Sequence, residues 1–140
     1  MDNVHKTPIE QEYHSALGDE MARIGFFGGK YEVYVWTDDT NDTPHVHVRD
    51  KETKGGKYET CVRLDANEYA LHGPFQDRMD SAMCAAFNAF MHAPCEDLKF
   101  LNNYDLAVVM WNCNNDSISL KPKYDPYGYI IMPDYTSING

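Results

Sequence analysis

The segment from Lys30 to Asp50, KYEVYVWTDDTNDTPHVHVRD, limits the possible folds more than any other part of the chain. From Tyr31 to Thr37, Tyr31, Val33 and Val35 alternate with Glu32, Tyr34 and Trp36. β-branched and aromatic residues at period two specify a strand. Asp38 to Thr43 is a run of turn formers, and Pro44 interrupts a ladder because it lacks an N–H. Alternation resumes at His45-Val46-His47-Val48. Side chains two apart on a strand share a face, so the two imidazoles point together and the two valines point the other way. The expectation is a sheet with one apolar face and one face carrying Trp36, Tyr34, His45 and His47.

The flanking sequence extends this sheet. Ala22 to Phe27 reads as a preceding strand, joined through Gly28-Gly29, a hairpin signal. Tyr58, Thr60, Val62 and Leu64 alternate with Glu59, Cys61 and Arg63 after the charged turn Asp50 to Lys57. Glu68 to His72 is a candidate short strand. Strands that follow one another through short turns pair antiparallel as a meander.

The period then changes. Met79, Met83, Ala86, Phe87, Phe90 and Met91 fall on one helical stripe, which predicts an amphipathic helix from Gln76 or Asp77 to about His92, ended by Pro94. Lining the apolar face of the sheet is the expected role of that stripe. A second helix is predicted from an Asn102 or Asn103 cap to about Asn114, with Leu101, Tyr104, Val108 and Trp111 on one face and Leu106 and Met110 widening it. The fold expected is α+β: an antiparallel sheet of three to four strands, two helices packed on one face, and an extended C-terminal arm. Residues 1–20 read as an acidic extension with a short helix over Pro8 to Leu17, residues 21–116 as the core domain, and residues 117–140 as a Tyr/Pro-rich arm over the domain or a partner.

Charge narrows the function. The 140 residues carry 12 Lys and Arg against 22 Asp and Glu, a net charge of −10. A field of that sign repels nucleic-acid phosphate and anionic lipid and attracts basic protein surfaces. Cys61, Cys84, Cys95 and Cys113 form no CxxC pair, no apolar run approaches the ~20 residues of a membrane span, and the first residues do not follow a basic-then-apolar signal pattern. Free thiols in a cytoplasm, that of a bacterial host, are expected.

Chemistry has few candidates. His45 and His47, about 6–7 Å apart at Cα, could bind one Zn²⁺ or Fe²⁺ given a third ligand from a neighbouring strand. Glu32, Glu59, Cys61 and His72 are the nearby donors, and Glu32 is favoured because its strand pairs directly and it shares the side of Trp36. The bland reading keeps both imidazoles hydrogen-bonded to backbone or carboxylates. Cys61 could also face the His pair as a nucleophile, but no glycine elbow or Cys-flanking motif accompanies it. Asp38, Asp39 and Asp42 lack the glycine and distal Glu of an EF-hand loop and read as a solvated turn. The glycine pairs lack the lysine pattern of a phosphate loop.

Phe26-Phe27, Tyr34-Val35-Trp36-Thr37-Asp38-Asp39 and Thr43-Pro44-His45-Val46-His47-Val48, followed by a strand and two helices, resemble the small bacterial proteins of domain-of-unknown-function family 4160. Trp111-Asn112-x-Asn114-Asn115 and Met132-Pro133-Asp134-Tyr135 resemble a subgroup carried on mobile elements. The similarity runs from about Met21 to Tyr135. It implies an α+β domain beside mobile or toxin–antitoxin-like genes and supplies no catalytic residue; Val46 stands where an aromatic is commoner.

Two expectations follow. The first is a non-enzymatic acidic protein-binding module of phage or mobile-element type, of a kind that inhibits a host defence or nucleic-acid-handling protein. It would use Asp38, Asp39, Asp42, Trp36, Tyr127, Tyr129 and Tyr135 against a basic or nucleic-acid-binding partner, with no cofactor, no direct nucleic acid and no membrane. The second is a small metal-dependent enzyme built on His45 and His47.

Overall fold

A computed structural model describes residues 22–36, 43–50, 58–70, 77–95, 100–115, 120–121 and 123–139. The expected acidic extension and its helix, the Asp38-Asp39-Asp42 turn and His72 lie outside the described residues.

Strands β1 (Ala22–Phe27), β2 (Tyr31–Val35), β3 (His45–Asp50) and β4 (Glu59–Arg63) form one antiparallel sheet in sequence order. The β1–β2 turn has Gly28 at φ 61° and Gly29 at φ 79°, positions where a Cβ would be strained. Strand β1 carries a bulge between Arg23 and Gly25. A Cβ on Gly25 would stand 2.9 Å from the Phe90 ring, so glycine lets the helix close on the bulged strand. The outer edge of β4 is partly covered: Val62 bridges Tyr69, and Ala70 N–H donates to Cys61 O at 2.9 Å. Of the expected strand at Glu68 to His72, this short bridge is the part that forms among the described residues.

Helix α1 (Ser81–His92) starts later than the sequence pattern suggests. Asp80 is its cap, accepting from Met83 N–H at 2.8 Å, a contact worth about 1 kcal/mol. Asp77 lies outside the helix because its carboxylate accepts from Glu59 N–H at 2.9 Å and ties the approach to β4. Helix α2 (Asn103–Asn114) is capped by Asn102, which accepts from Asp105 N–H at 2.8 Å. Val33, Val46, Val48 and Val62 of the sheet share one core with Phe87 and Met91 of α1 and Leu106, Val108 and Trp111 of α2. Leu101, expected on the inner face of α2, precedes the helix and is exposed. No helix among the described residues is long and apolar enough to cross a membrane.

The C-terminal stretch is less extended than its composition suggests. Strands β5 (Lys123–Tyr124) and β6 (Ile130–Ile131) pair as a small hairpin. Beyond it the chain is fastened to the turn after β4: Tyr69 N–H donates to Asn139 O at 3.0 Å, and Asn139 N–H to Asn67 O at 2.8 Å. Tyr135 is fully buried, its ring edge-on to Phe87 at 5.0 Å and its hydroxyl donating to Arg63 O at 2.6 Å. This corrects the expectation that Tyr135 offers a partner-binding surface. It is a core residue that anchors the arm.

Candidate functional site

The second face of the sheet is polar in composition, yet its central side chains are buried. Cross-strand register sets Tyr34 opposite His47 and His47 opposite Cys61, so the three side chains share that face. Two residues earlier on β3, His45 joins them. Glu32, Tyr34, His45, His47 and Cys61 are all fully buried. Buried polar groups must be partnered, and the partners here fix the chemistry.

Glu32 sits between two guanidiniums, with Arg23 Nε at 2.5 Å and Arg49 Nε at 2.7 Å. The favoured third ligand is thereby corrected: Glu32 shares the face but is held in ion pairs, and the group of donor atoms it was expected to complete contains Cys61 instead. Arg49 also lies 4.7 Å from the centre of the Tyr34 ring. That ring stacks on His47 at 5.0 Å, and the Tyr34 hydroxyl donates to Glu59 Oε2. The same carboxylate oxygen lies 3.1 Å from His47 Nδ1. Burial alone would raise the Glu59 carboxyl, but its hydrogen bonds to His47 and Tyr34 outweigh burial and hold it below the ordinary value. Glu59 is thus a carboxylate and can only accept. His47 therefore carries a proton on Nδ1, and in its neutral form Nε2 is bare.

His45 obeys the same logic. Its Nδ1 lies 2.6 Å from Thr43 O, a carbonyl that can only accept, so its Nε2 is bare as well. The two Nε2 atoms face each other at 3.3 Å. Two lone pairs at that separation repel unless a cation, a proton or a metal ion, lies between them. Cys61 Sγ is 4.0 Å from His47 Nε2 and 3.5 Å from its Nδ1. Burial pushes the Cys61 thiol up, but the neighbouring His45 and His47 bring it below its usual value, an effect that requires a positive charge at the imidazoles, carried by a proton or a metal ion.

One donor atom each from His45, His47 and Cys61 lies within 4.8 Å of the other two. A tetrahedral zinc with bonds of about 2.0–2.3 Å to nitrogen and sulfur separates its ligand atoms by about 3.3–3.6 Å. The N–N pair already meets that spacing; of the two N–S pairs, His47 Nε2 to Cys61 Sγ, at 4.0 Å, needs a closure of a few tenths of an ångström, and the His45–Cys61 pair lies within 4.8 Å. Each imidazole has its other nitrogen on an acceptor, the outer-shell arrangement that orients metal-binding histidines. Trp111 lies 5.1 Å from His45, ring centre to ring centre, and Trp36 stands edge-on to His47 at 6.4 Å.

The remaining expected surface residues divide. Trp36 is 39% exposed at the margin of the site, and Tyr127 and Tyr129 project from the β5–β6 connection at 85% and 67% exposure. Cys61 is the site residue that sequence reasoning ranked too low, and Tyr34 and Glu59 are the ones whose role it missed. The signal was the β3–β4 register, which sets Cys61 directly across from His47. No protein family, curated protein or solved structure matches the chain.

Proposed function

We propose that this is a small transition-metal-binding protein whose centre is formed by His45, His47 and Cys61, with Glu59 orienting His47. The observation that carries the reading is the pair of Nε2 atoms facing each other at 3.3 Å beside a buried cysteine sulfur. Two imidazoles and a thiolate suit a borderline or soft ion and not Ca²⁺ or Mg²⁺, which take oxygen. Zinc fits the donor set and the spacing. An ion there would join β3 to β4 and convert binding energy into fold stability.

The test is to purify the full chain without chelator, measure bound metal, then titrate Co²⁺ into chelator-stripped protein. About one ion per chain and a thiolate-to-cobalt charge-transfer band are expected. Cys61→Ser should remove that band, and His45→Ala or His47→Ala should weaken binding. Protein that arrives metal-free and shows no such band with Co²⁺ refutes the centre and leaves a proton between the imidazoles.

A second reading concerns the surface. The exposed Tyr127 and Tyr129, together with a net charge of −10, support an acidic module that binds a basic protein. Its test is capture of a basic partner in a salt-sensitive manner, lost in Tyr127→Ala/Tyr129→Ala. Binding unaffected by both substitutions removes this reading without touching the metal centre.

A further inference from the structure

Away from the metal centre, a cleft of about 490 Å³ opens between the turn after β4, helix α2 and the C-terminal hairpin. That volume falls within the range of small-molecule sites. Leu64, Tyr104, Leu120, Ile131, Met132 and Pro133 give it an apolar lining, and Lys121 and Lys123 are part of its wall.

The two lysines differ from every other described lysine and arginine. Arg23 and Arg49 pair with Glu32, Lys30 with Asp50, and Arg63 with Asp65 and Glu68, while Arg78 lies over the Tyr69 ring. Lys121 and Lys123 have no carboxylate or ring partner among the described residues. Neither carboxylate of the cleft, Asp65 or Asp134, forms an ion pair with them. Asp65 is held by Arg63 at 2.8 Å, and Asp134 accepts from Thr136 N–H at 3.0 Å and its hydroxyl at 2.7 Å. Asn67 donates to Ser137 O at 3.1 Å, and the Tyr104 hydroxyl to Leu64 O at 2.5 Å. The backbone of Leu120 is bonded on both sides by Asn112, at 2.9 Å each. The ammonium groups are the cleft's cationic donors and hold no carboxylate or ring among the described residues, beside a largely apolar wall that also includes the Asp65 and Asp134 carboxylates, in a chain whose acids outnumber its bases 22 to 12.

We infer that this cleft binds a small amphiphilic anion, its apolar body against Tyr104, Ile131 and Met132 and its carboxylate or phosphate head on Lys121 and Lys123. The inference is independent of the metal centre. The ammonium pair supplies the selection, because the apolar wall would accept a neutral analogue equally well.

The test compares 1-naphthoate, 1-naphthyl phosphate and neutral 1-naphthol, titrated into ¹⁵N-labelled full-length protein and read from amide shifts. Both anions should move the amides of Asn67, Lys121, Lys123 and Ile131, the tighter one naming the head group. Naphthol should bind about tenfold more weakly, and Lys121→Gln/Lys123→Gln should lower anion affinity by about tenfold, the scale of two exposed charge contacts. The double variant should keep its thermal midpoint, because neither lysine holds a carboxylate or ring partner among the described residues. Equal binding of naphthol, unchanged anion affinity in the double variant, shifts centred elsewhere, or no binding of either anion at millimolar concentration would each overturn the inference.

Discussion

Tyr135 offers the sharpest test of how the fold is held. Its ring is fully buried against Phe87, and its hydroxyl donates to the last carbonyl of β4. Tyr135→Ala removes a buried aromatic, a loss of about 3–5 kcal/mol in well-packed cores. Tyr135→Phe keeps the ring and deletes one hydrogen bond, leaving Arg63 O short of its buried donor, for about 1–2 kcal/mol. Domains of ordinary stability hold only about 5–15 kcal/mol, so the alanine variant should lose a large fraction of the total. Urea unfolding followed by circular dichroism measures both, and the thermal midpoints should fall by about 3 °C per kcal/mol for a chain of this length. The m-value separates two mechanisms. An arm integral to the core leaves m unchanged in Tyr135→Phe, whereas an arm that peels off first lowers m in Tyr135→Ala. If Tyr135→Ala costs under about 1 kcal/mol, the reasoning from burial is refuted and the arm is surface decoration.

Three further outcomes follow from the geometry. Glu59→Ala should weaken metal binding by about 10–100-fold while keeping the cobalt–thiolate band, measured by chelator competition, because it removes the group that orients His47 and not a ligand. Gly25→Ala should destabilise by about 1–3 kcal/mol through its clash with Phe90, and much of the loss should vanish in a Phe90→Leu background; a purely additive double mutant would contradict the contact. Burial holds the Tyr104 phenol above its ordinary value and that of Tyr135 well above it. The folded state binds these protons more tightly than the unfolded state. Their contribution is therefore complete below about pH 10 and is lost as pH rises past it towards the folded values. Tyrosinate absorbance of these two should appear together with unfolding, and ionisation near pH 10 with the fold intact would contradict their burial.

Much of this was legible because periodicity is local. The alternation from Tyr31, the stripe from Met79 to Met91 and the Asn102 cap each rest on neighbouring residues, and each element forms on its pattern, the first helix starting only at Ser81, inside the stripe. The shared face of His45 and His47 followed from the same arithmetic. The third donor did not, because Glu32 and Cys61 differ by which groups stand across from them. Glu32 has Arg49 opposite on one side, and Cys61 has His47. That is a matter of pairing register, which a single strand does not announce. The depth of burial of the polar face was likewise invisible, since alternation with polar residues ordinarily means a solvated face. Tyr135 was misplaced for a related reason. It lies in a segment without period two or 3.6, and its neighbours, Asn88 and Arg63, are 47 and 72 residues away.

That separation has a kinetic side. Each strand of the sheet pairs with its immediate successor, so the meander can close one hairpin at a time with little loop entropy to overcome. The fastening of Asn139 to Asn67 and of Tyr135 to Arg63 closes far longer loops and belongs to the end of the reaction. Contacts made after the barrier control how fast the protein comes apart and leave the rate of assembly nearly untouched. The last turn of chain therefore behaves as a latch. Weakening it should lift the unfolding limb of a chevron without changing its slope, raising the unfolding rate while refolding proceeds at the speed of the sheet; a slowed refolding limb in Tyr135→Phe would place the latch inside the nucleus instead.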